Sequence, residues 1–269
     1  MESITPATRL QCSTMEDWAR FFIRTESLAV KSTPPPMPSV WQESADAIDL
    51  SPGRPTELSL TRKLPQSVKL SQLRDPDVRA QVMHKFWHHE LSAAELMAWA
   101  ILRFPSAPEK FKKGLAKIAR DELRHMKLYE NYLLERGYRL GTFPIRDWLW
   151  ERVQFVESPL QFVALLGIGF EGANLDHAER FERMFRESGD LEAAGIQAQV
   201  GREEVPHVRF AAYWFESWTG GLDFSSWREQ LPSDLGPNAV QGKVLSKAAR
   251  QKANLSPNFL HELREWRRS

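Results

Sequence analysis

The stretch Ala119-Arg120-Asp121-Glu122-Leu123-Arg124-His125-Met126 decides the fold. It lies within a longer pattern of apolar residues at three- and four-residue steps, which is typical of an amphipathic helix. The stripe that should face a core nevertheless includes Glu122 and His125. Side chains three residues apart on a helix are neighbours on one face, with about 5–6 Å between their Cβ atoms. A glutamate and a histidine in this relation can bind one metal ion.

The same spacing occurs a second time, in Glu204-Val205-Pro206-His207. Each copy has a glutamate about one helix upstream: Glu90 lies 32 residues before Glu122, and Glu171 lies 33 residues before Glu204. Helix-breaking runs fall near both midpoints, at 104–108 and 186–190. If the chain turns at each run, two antiparallel helix hairpins bring the six side chains to one level. The predicted metal ligands are Glu90, Glu122, His125, Glu171, Glu204 and His207, with Glu122 and Glu204 as the bridging pair.

Some assignments at this site have alternatives. Glu95 competes with Glu90, although five residues place it about 140° round the helix. Glu203 competes with Glu204 but lacks the three-residue relation to the histidine. Tyr129, about one turn after the first histidine, is either a redox partner of the metal centre or a packed core residue. Pro206 removes a backbone donor and is expected to kink its helix beside the ligands.

Composition indicates a soluble, cytoplasmic protein. The chain has 269 residues, of which 42% are hydrophobic, enough to bury the core of one large domain. The formal net charge of +1 gives no general reason to expect nucleic-acid binding. The single cysteine excludes an internal disulfide framework and fits a reducing compartment. We find no signal-peptide pattern at the amino terminus and no apolar run long enough to span a membrane.

Periodicity and breakers predict an all-α protein in three parts. Residues 1–76 form a short helix and an extended strap, 77–219 a four-helix bundle, and 220–269 a helical tail. A long crossover at 138–159 joins the two hairpins, as in the ferritin-like arrangement. The four bundle helices are predicted near 75–103, 108–136, 160–187 and 190–218, with a short helix around 145–155 in the crossover and tail helices at 240–253 and 257–267.

One motif favours a different function. Gly167-Ile168-Gly169-Phe170-Glu171-Gly172 matches the G-x-G-x-x-G pattern of dinucleotide-binding proteins. That pattern requires a preceding strand and a βαβ unit, whereas the residues that follow have helical periodicity. We therefore expect these glycines to allow close helix packing or to leave space beside the metal.

The residue types indicate which metal the site binds. Four buried carboxylates would cost several kcal/mol each without compensation, and two divalent ions would neutralise them. Carboxylate-rich ligation with one imidazole per ion suits iron or manganese better than structural zinc. The expected cofactor is therefore two Fe ions, with Mn or mixed Mn/Fe as alternatives. One glutamate from each of two helices and Glu-x-x-His from each of two others is the known ligand pattern of di-iron carboxylate bundles.

Beyond this pattern, the sequence resembles the ferritin-like superfamily and, most closely, a bacterial ferritin-like family labelled domain of unknown function 455. The chain departs from the expected pattern at Pro206, where a helix-compatible residue would be usual. The resemblance implies a dinuclear iron site and a fold, but it does not supply a reaction. It rests on Pro52-Gly53-Arg54-Pro55, His88-His89-Glu90-Leu91, Ala94-Glu95-Leu96, Arg103-Phe104-Pro105, Asp121-Glu122-Leu123-Arg124-His125, Glu203-Glu204-Val205-Pro206-His207-Val208, Gly236-Pro237-Asn238 and Ala248-Ala249-Arg250.

Three functional hypotheses follow. The first is an O₂-activating oxidase or oxygenase of the non-haem di-iron type, whose partners are O₂, an unidentified small-molecule substrate and, for an oxygenase, an external electron donor. The second is non-catalytic: iron or manganese binding, storage, or peroxide scavenging. The third is a helical scaffold with an incidental metal. A homodimer is compatible with each of them, and no membrane partner is expected.

Overall fold

The computed structural model describes residues 12–42, 46–62, 67–153 and 155–266, and all the regular elements within these ranges are helices. Isolated pairing between Leu60 and Ile145 is the one β-type contact in the described part. The all-α prediction is confirmed. No helix among the described residues combines the length and the apolar character needed to cross a membrane.

Four long helical elements form two hairpins at the predicted places. The first hairpin joins α3 (Pro76–Arg103) to α4 (Glu109–Glu135). In the second, a short α6 (Pro159–Phe162), a π-helical segment (Val163–Glu171) and α7 (Gly172–Glu187) follow one another without a break, and α8 (Leu191–Thr219) returns. The π-helical winding before α7 was not predicted. The hairpins pack together through α4 and α8.

Capping residues explain where these helices begin and end. The Asp75 carboxylate accepts a hydrogen bond from the Asp77 backbone N–H, and Pro76 occupies the first turn of α3. Asp190 accepts in the same way from the Ala193 backbone N–H at the start of α8. At its other end α8 stops at Gly220, whose φ of 84° is readily adopted only by glycine. Local sequence chemistry therefore sets the boundaries of the hairpins.

Pro206 does not end α8, which continues from Leu191 to Thr219. A proline removes the backbone N–H that would otherwise bond to the carbonyl four residues earlier. Buried contacts on both sides of this position, through Val200, Glu204, Val208 and Ala211, hold the helix in place. Tertiary packing thus outweighs the local cost of the proline.

The segment before the hairpins lies along them. It contains α1 (Met15–Arg24) and α2 (Leu28–Ser32), where the sequence predicted one short helix. The extended chain that follows is bonded to the helices: the Trp99 indole N–H donates to Asp49 at 2.9 Å, and the Ile48 backbone N–H donates to the Leu102 carbonyl. Residues 43–45 and 63–66 of the expected strap lie outside the described residues.

In the described parts of the crossover and the tail, all the helices are short. These are α5 (Trp148–Val153), α9 (Phe224–Glu229), α10 (Pro237–Val240), α11 (Lys247–Lys252) and α12 (Pro257–Glu265). The predicted helix over 240–253 is wrong in its first half, because residues 241–246 are not helical. There the backbone N–H groups of Gly242 and Ser246 donate to the Asp176 carboxylate instead of to backbone carbonyl groups of a helix.

Candidate metal centre

Four buried side chains meet between the two hairpins. Glu90 comes from α3, Glu122 and His125 from α4, and Glu204 from α8. Each offers one potential ligand atom, and these atoms all lie within 4.8 Å of one another. All four are at most 2% exposed, so water does not solvate their charges. Tertiary packing has therefore gathered a compact set of metal-binding atoms in the core.

The two predicted bridging carboxylates lie between the two imidazoles. Glu122 places one oxygen 3.1 Å from Nδ1 of His125 and the other 3.0 Å from Nδ1 of His207. Glu204 likewise places one oxygen 3.5 Å from Nδ1 of His125 and the other 2.8 Å from Nδ1 of His207. The imidazole centroids are 6.0 Å apart. This arrangement is suited to two cations that share two carboxylates.

Glu171 and His207 lie beside the compact set but outside it. Glu171 is the last residue of the π-helical segment and is 6% exposed. Together with His207 and apolar side chains it lines a cavity of about 10 Å³. Burial, followed by the nearby charges of Glu204 and Glu122, raises the pKa of Glu171 well above its usual range. Glu171 is thus electrostatically part of the centre.

The outer nitrogen of each imidazole contacts a carboxylate from the opposite hairpin. Nε2 of His125 lies 2.9 Å from Glu203, and Nε2 of His207 lies 3.4 Å from Asp121. Arg124 donates to both carboxylates, at 2.6 Å to Glu203 and 2.7 Å to Asp121. Such contacts orient an imidazole and leave its inner nitrogen to face a metal. Glu203 therefore acts on a histidine and does not replace Glu204 in the cluster.

The sequence did not lead us to expect Asp121 and Glu203 as partners of the two imidazoles, although a signal was available. Asp121 and Glu203 each stand immediately before the glutamate of a Glu-x-x-His motif. A hydrogen bond with His207 is the main reason that the pKa of Asp121 falls to about 2. Burial raises the pKa of Glu203, but its bonds to Arg124 and His125 outweigh this and lower it. Both groups are therefore charged at neutral pH and favour protonated outer nitrogens.

The donor set and its electrostatics fit divalent cations. Oε1 of Glu90 is buried without a hydrogen bond. Burial and neighbouring carboxylates raise the pKa of Glu90 well above its usual range. Burial lowers the pKa of His125, but hydrogen bonds to Glu122 and other carboxylates outweigh it and raise that pKa. These are the properties of a core with excess negative charge, which protons or bound cations must neutralise.

Comparisons with known proteins place the chain in a family. The profile of a family described as "Protein of unknown function (DUF455)" matches residues 6–261. The chain belongs to the DUF455 family. It is also 27% identical over 169 residues to an uncharacterized protein of Haemophilus influenzae. That match covers 59% of this chain and 59% of the relative, so the chain spans less than two thirds of the relative's length. No solved structure matches.

In this DUF455 protein, Glu95 is placed away from the metal centre. Its carboxylate accepts from Lys31 at 2.6 Å, from Arg54 at 2.9 Å and from the indole of Trp150 at 2.8 Å. The Arg54 guanidinium also pairs with Asp147. Three donors, one each from α2, the strap and the crossover, therefore explain why a second carboxylate is buried on α3.

Tyr129 is packed beside the centre. Its ring is stacked on Phe86 with centroids 5.6 Å apart, and its hydroxyl accepts from the Gln197 amide at 3.2 Å. Burial and the charges of Glu90 and Glu204 raise the pKa of its hydroxyl well above the usual range. The phenol therefore stays protonated at neutral pH. This packing agrees with a core residue, and the redox role stays a prediction.

The glycine-rich motif is part of the helix packing. A Cβ on Gly167 would lie 2.2 Å from the Cβ of Ala211 on α8, and one on Gly169 would lie 3.0 Å from Val240. No strand precedes the motif among the described residues. Gly167 and Gly169 therefore allow neighbouring helices to pack closely. Close packing is one of the two roles that the sequence suggested for these glycines.

Proposed function

We propose that this DUF455 protein is a ferritin-like dinuclear metal carboxylate protein, with two iron ions, that activates O₂ to oxidise an organic substrate. The observation that carries the proposal is the reciprocal placement of Glu122 and Glu204, each of which presents one oxygen to each imidazole. Two cations near the imidazole Nδ1 atoms would share these carboxylates. Manganese or a mixed pair is compatible with the same oxygen and nitrogen donors.

The six predicted residues would divide the work of holding the ions. Glu90 and His125 would complete one side, and Glu171 and His207 the other. A ferrous pair, when bound, supplies electrons for the reduction of O₂. In a monooxygenase one oxygen atom would enter the substrate and the other would leave as water; the substrate would supply two of the four electrons and the ferrous pair the other two, which an external donor would restore, together with two protons.

The surrounding residues would control orientation and access. Asp121 and Glu203 would hold the imidazoles with their Nδ1 atoms toward the ions. Asn174 donates its amide N–H to Glu204 at 3.2 Å and would fix the rotamer of that bridging carboxylate. The cavity of about 10 Å³ beside Glu171 is near the smallest volume that accommodates one water molecule. Apart from Glu171 and His207 its lining is apolar, which favours a small, uncharged molecule such as O₂.

The first test is metal content. Wild-type protein loaded anaerobically with ferrous iron and desalted should retain two irons per chain, measured by plasma mass spectrometry. Glu122→Ala and Glu204→Ala should each lose at least one, because a shared ligand is removed. Glu122→Gln and Glu204→Gln are the isosteric versions in case the alanine variants do not fold. Glu95→Ala and the exposed Glu135→Gln are controls that should keep both ions in the folded fraction.

Retention of both ions by the Glu122 and Glu204 variants would contradict the ligand assignment. O₂ uptake after ferrous loading then separates the two metal-dependent functions. Consumption that continues with a reductant and a substrate supports the oxygenase. Accumulation of hundreds of irons per assembly would instead support storage, the alternative function.

A further inference from the structure

A second, much larger cavity lies away from the metal centre. Its volume is about 1010 Å³, at the upper end of the roughly 300–1,000 Å³ usual for small-molecule sites. Residues of α5, residues within 234–247, Arg264 near the end of α12 and Trp266 just after it line the cavity, which is open to solvent. None of the six predicted metal ligands lines it.

The walls of this cavity are positively charged. Arg152, Lys243, Lys247 and Arg264 line it, against the single carboxylate of Asp234. Arg152 pairs with Asp234 at 2.8 Å, so that carboxylate is already used. The side-chain ammonium groups of Lys243 and Lys247 form no ion pair or hydrogen bond with any residue that the structure describes. Because the chain as a whole has a formal net charge of only +1, this is a local concentration of cations that favours an anionic ligand.

Two tryptophans line the same cavity, and packing holds both in place. Trp148 packs on Phe170 with ring centroids 4.8 Å apart, and Trp266 contacts the Phe224 ring at 5.8 Å. Indole rings next to cations are a recurring way to bind nucleotides, since the ring stacks with a base while the cations bind phosphate. The residue types therefore favour a ligand that has both an anionic and a flat aromatic part.

The wall that contains the two lysines is fixed to the protein core. Asp176, on α7, accepts hydrogen bonds from the backbone N–H groups of Gly242 at 2.8 Å and Ser246 at 2.7 Å. The same carboxylate pairs at 2.8 Å with Arg250, and both side chains are fully buried. A buried, charge-assisted anchor keeps residues 242–246 in one conformation, which lowers the entropic cost of binding a ligand.

We propose that this cavity binds a nucleotide, with Lys243 and Lys247 on its phosphates and an indole against its base. The site does not depend on the metal centre. Because its cations lie within one concave space, a nucleoside diphosphate fits better than a long nucleic-acid strand.

The test is calorimetric titration of the full chain with ADP, inorganic pyrophosphate and adenosine at low salt. ADP should bind at least tenfold more tightly than either fragment, because only ADP uses both the lysines and the indoles. Lys243→Gln/Lys247→Gln should weaken ADP binding at least tenfold. The matched control is Lys117→Gln/Lys252→Gln, which removes two exposed charges that do not line the cavity and should bind ADP like the wild type.

Several outcomes would overturn the proposal. Pyrophosphate that binds as tightly as ADP would show an unspecific anion patch. Equal weakening in both double variants would show that only overall charge matters. A short oligoadenylate that binds far more tightly than ADP would indicate an RNA surface. Treatment with a chelator should leave ADP binding unchanged, so failure of the metal proposal is distinguishable from failure of this one.

Discussion

Buried glutamates in the core differ in role according to the groups that surround them. Glu90 lies beside an imidazole and other carboxylates, and one of its oxygens lacks any hydrogen bond. Glu95 is equally buried, but three donors satisfy it. A buried carboxylate with a full set of donors needs no cation, whereas an incompletely bonded group among like charges gains from one. The difference between the two glutamates lies in their surroundings, since the residue type is the same.

His84 provides a pH test at the residue scale. Its Nε2 accepts a hydrogen bond from the Gly141 backbone N–H at 2.8 Å, which requires the neutral imidazole. Burial lowers the pKa of His84 from 6.5 to about 4. The unfolded chain therefore takes up this proton first as pH falls. Stability that is fully present above pH 6.5 should decrease toward pH 4, by about 3 kcal/mol in total.

The comparison uses His84→Gln, whose amide oxygen can accept from the same backbone N–H and does not titrate. Urea unfolding of both proteins at pH 7 and pH 4.5 gives the two free energies of unfolding. The wild type should lose about 2–3 kcal/mol more than the variant over this interval. If both proteins lose the same free energy of unfolding between pH 7 and pH 4.5, the His84 imidazole does not titrate as described.

At the element scale, the approach of the π-helical segment to α8 depends on one small residue. Gly167 faces Ala211, and a Cβ on the glycine would overlap with the Cβ of the alanine. Gly167→Ala should therefore destabilise the protein by about 1–3 kcal/mol, since the two backbones must separate. Thermal unfolding, with helicity measured by circular dichroism, reports the change.

A second substitution gives this prediction its control. Gly167→Ala combined with Ala211→Gly exchanges the two side chains and removes the overlap, while the sum of helix propensities stays about the same. The double variant should recover most of the lost stability. If the single and double variants are equally unstable, the close contact is not the cause.

At the scale of the whole molecule, a buried ionic network attaches the strap and the crossover to the first hairpin. Arg54 pairs with Glu95 on α3 at 2.9 Å and with Asp147 before α5 at 2.8 Å. Lys31, at the end of α2, is fully buried and also pairs with Glu95. Burial of these charges is costly, but as long as all partners are present the network is satisfied and joins three separate parts of the chain.

Arg54→Met should reveal how much this network contributes. Removing the guanidinium leaves the buried Glu95 and the partly buried Asp147 short of a donor, so the free energy of unfolding should fall by about 3–5 kcal/mol. Arg20→Met removes a half-exposed pair with Asp17 and should cost less than about 1 kcal/mol. Denaturant titration compares the two variants, and similar small losses in both would contradict the role given to the network. Metal content of the folded fraction should not change in either variant.

Much of the fold was predictable because its signals are local. The hairpin boundaries follow from caps, breakers and periodicity within a few residues, as at Asp75, Asp190 and Gly220. The two Glu-x-x-His pairs follow from helix geometry alone. The three-part division at 1–76, 77–219 and 220–269 stays a prediction, as does the identity of the metal.

Other features depended on contacts between distant residues. Arg250 lies within the tail helix predicted over 240–253, and the structure buries it against Asp176, which lies 74 residues earlier. The pairing of Glu95 with Lys31 and Arg54, and the cross-hairpin bonds of Asp121 and Glu203, likewise join separate elements. Periodicity and capping residues were enough to establish that the chain is helical and where its carboxylates and histidines stand along each helix. Which of these side chains share a partner became clear from the packed helices alone, because partners come from separate helices and the periodicity of one helix does not depend on its neighbours.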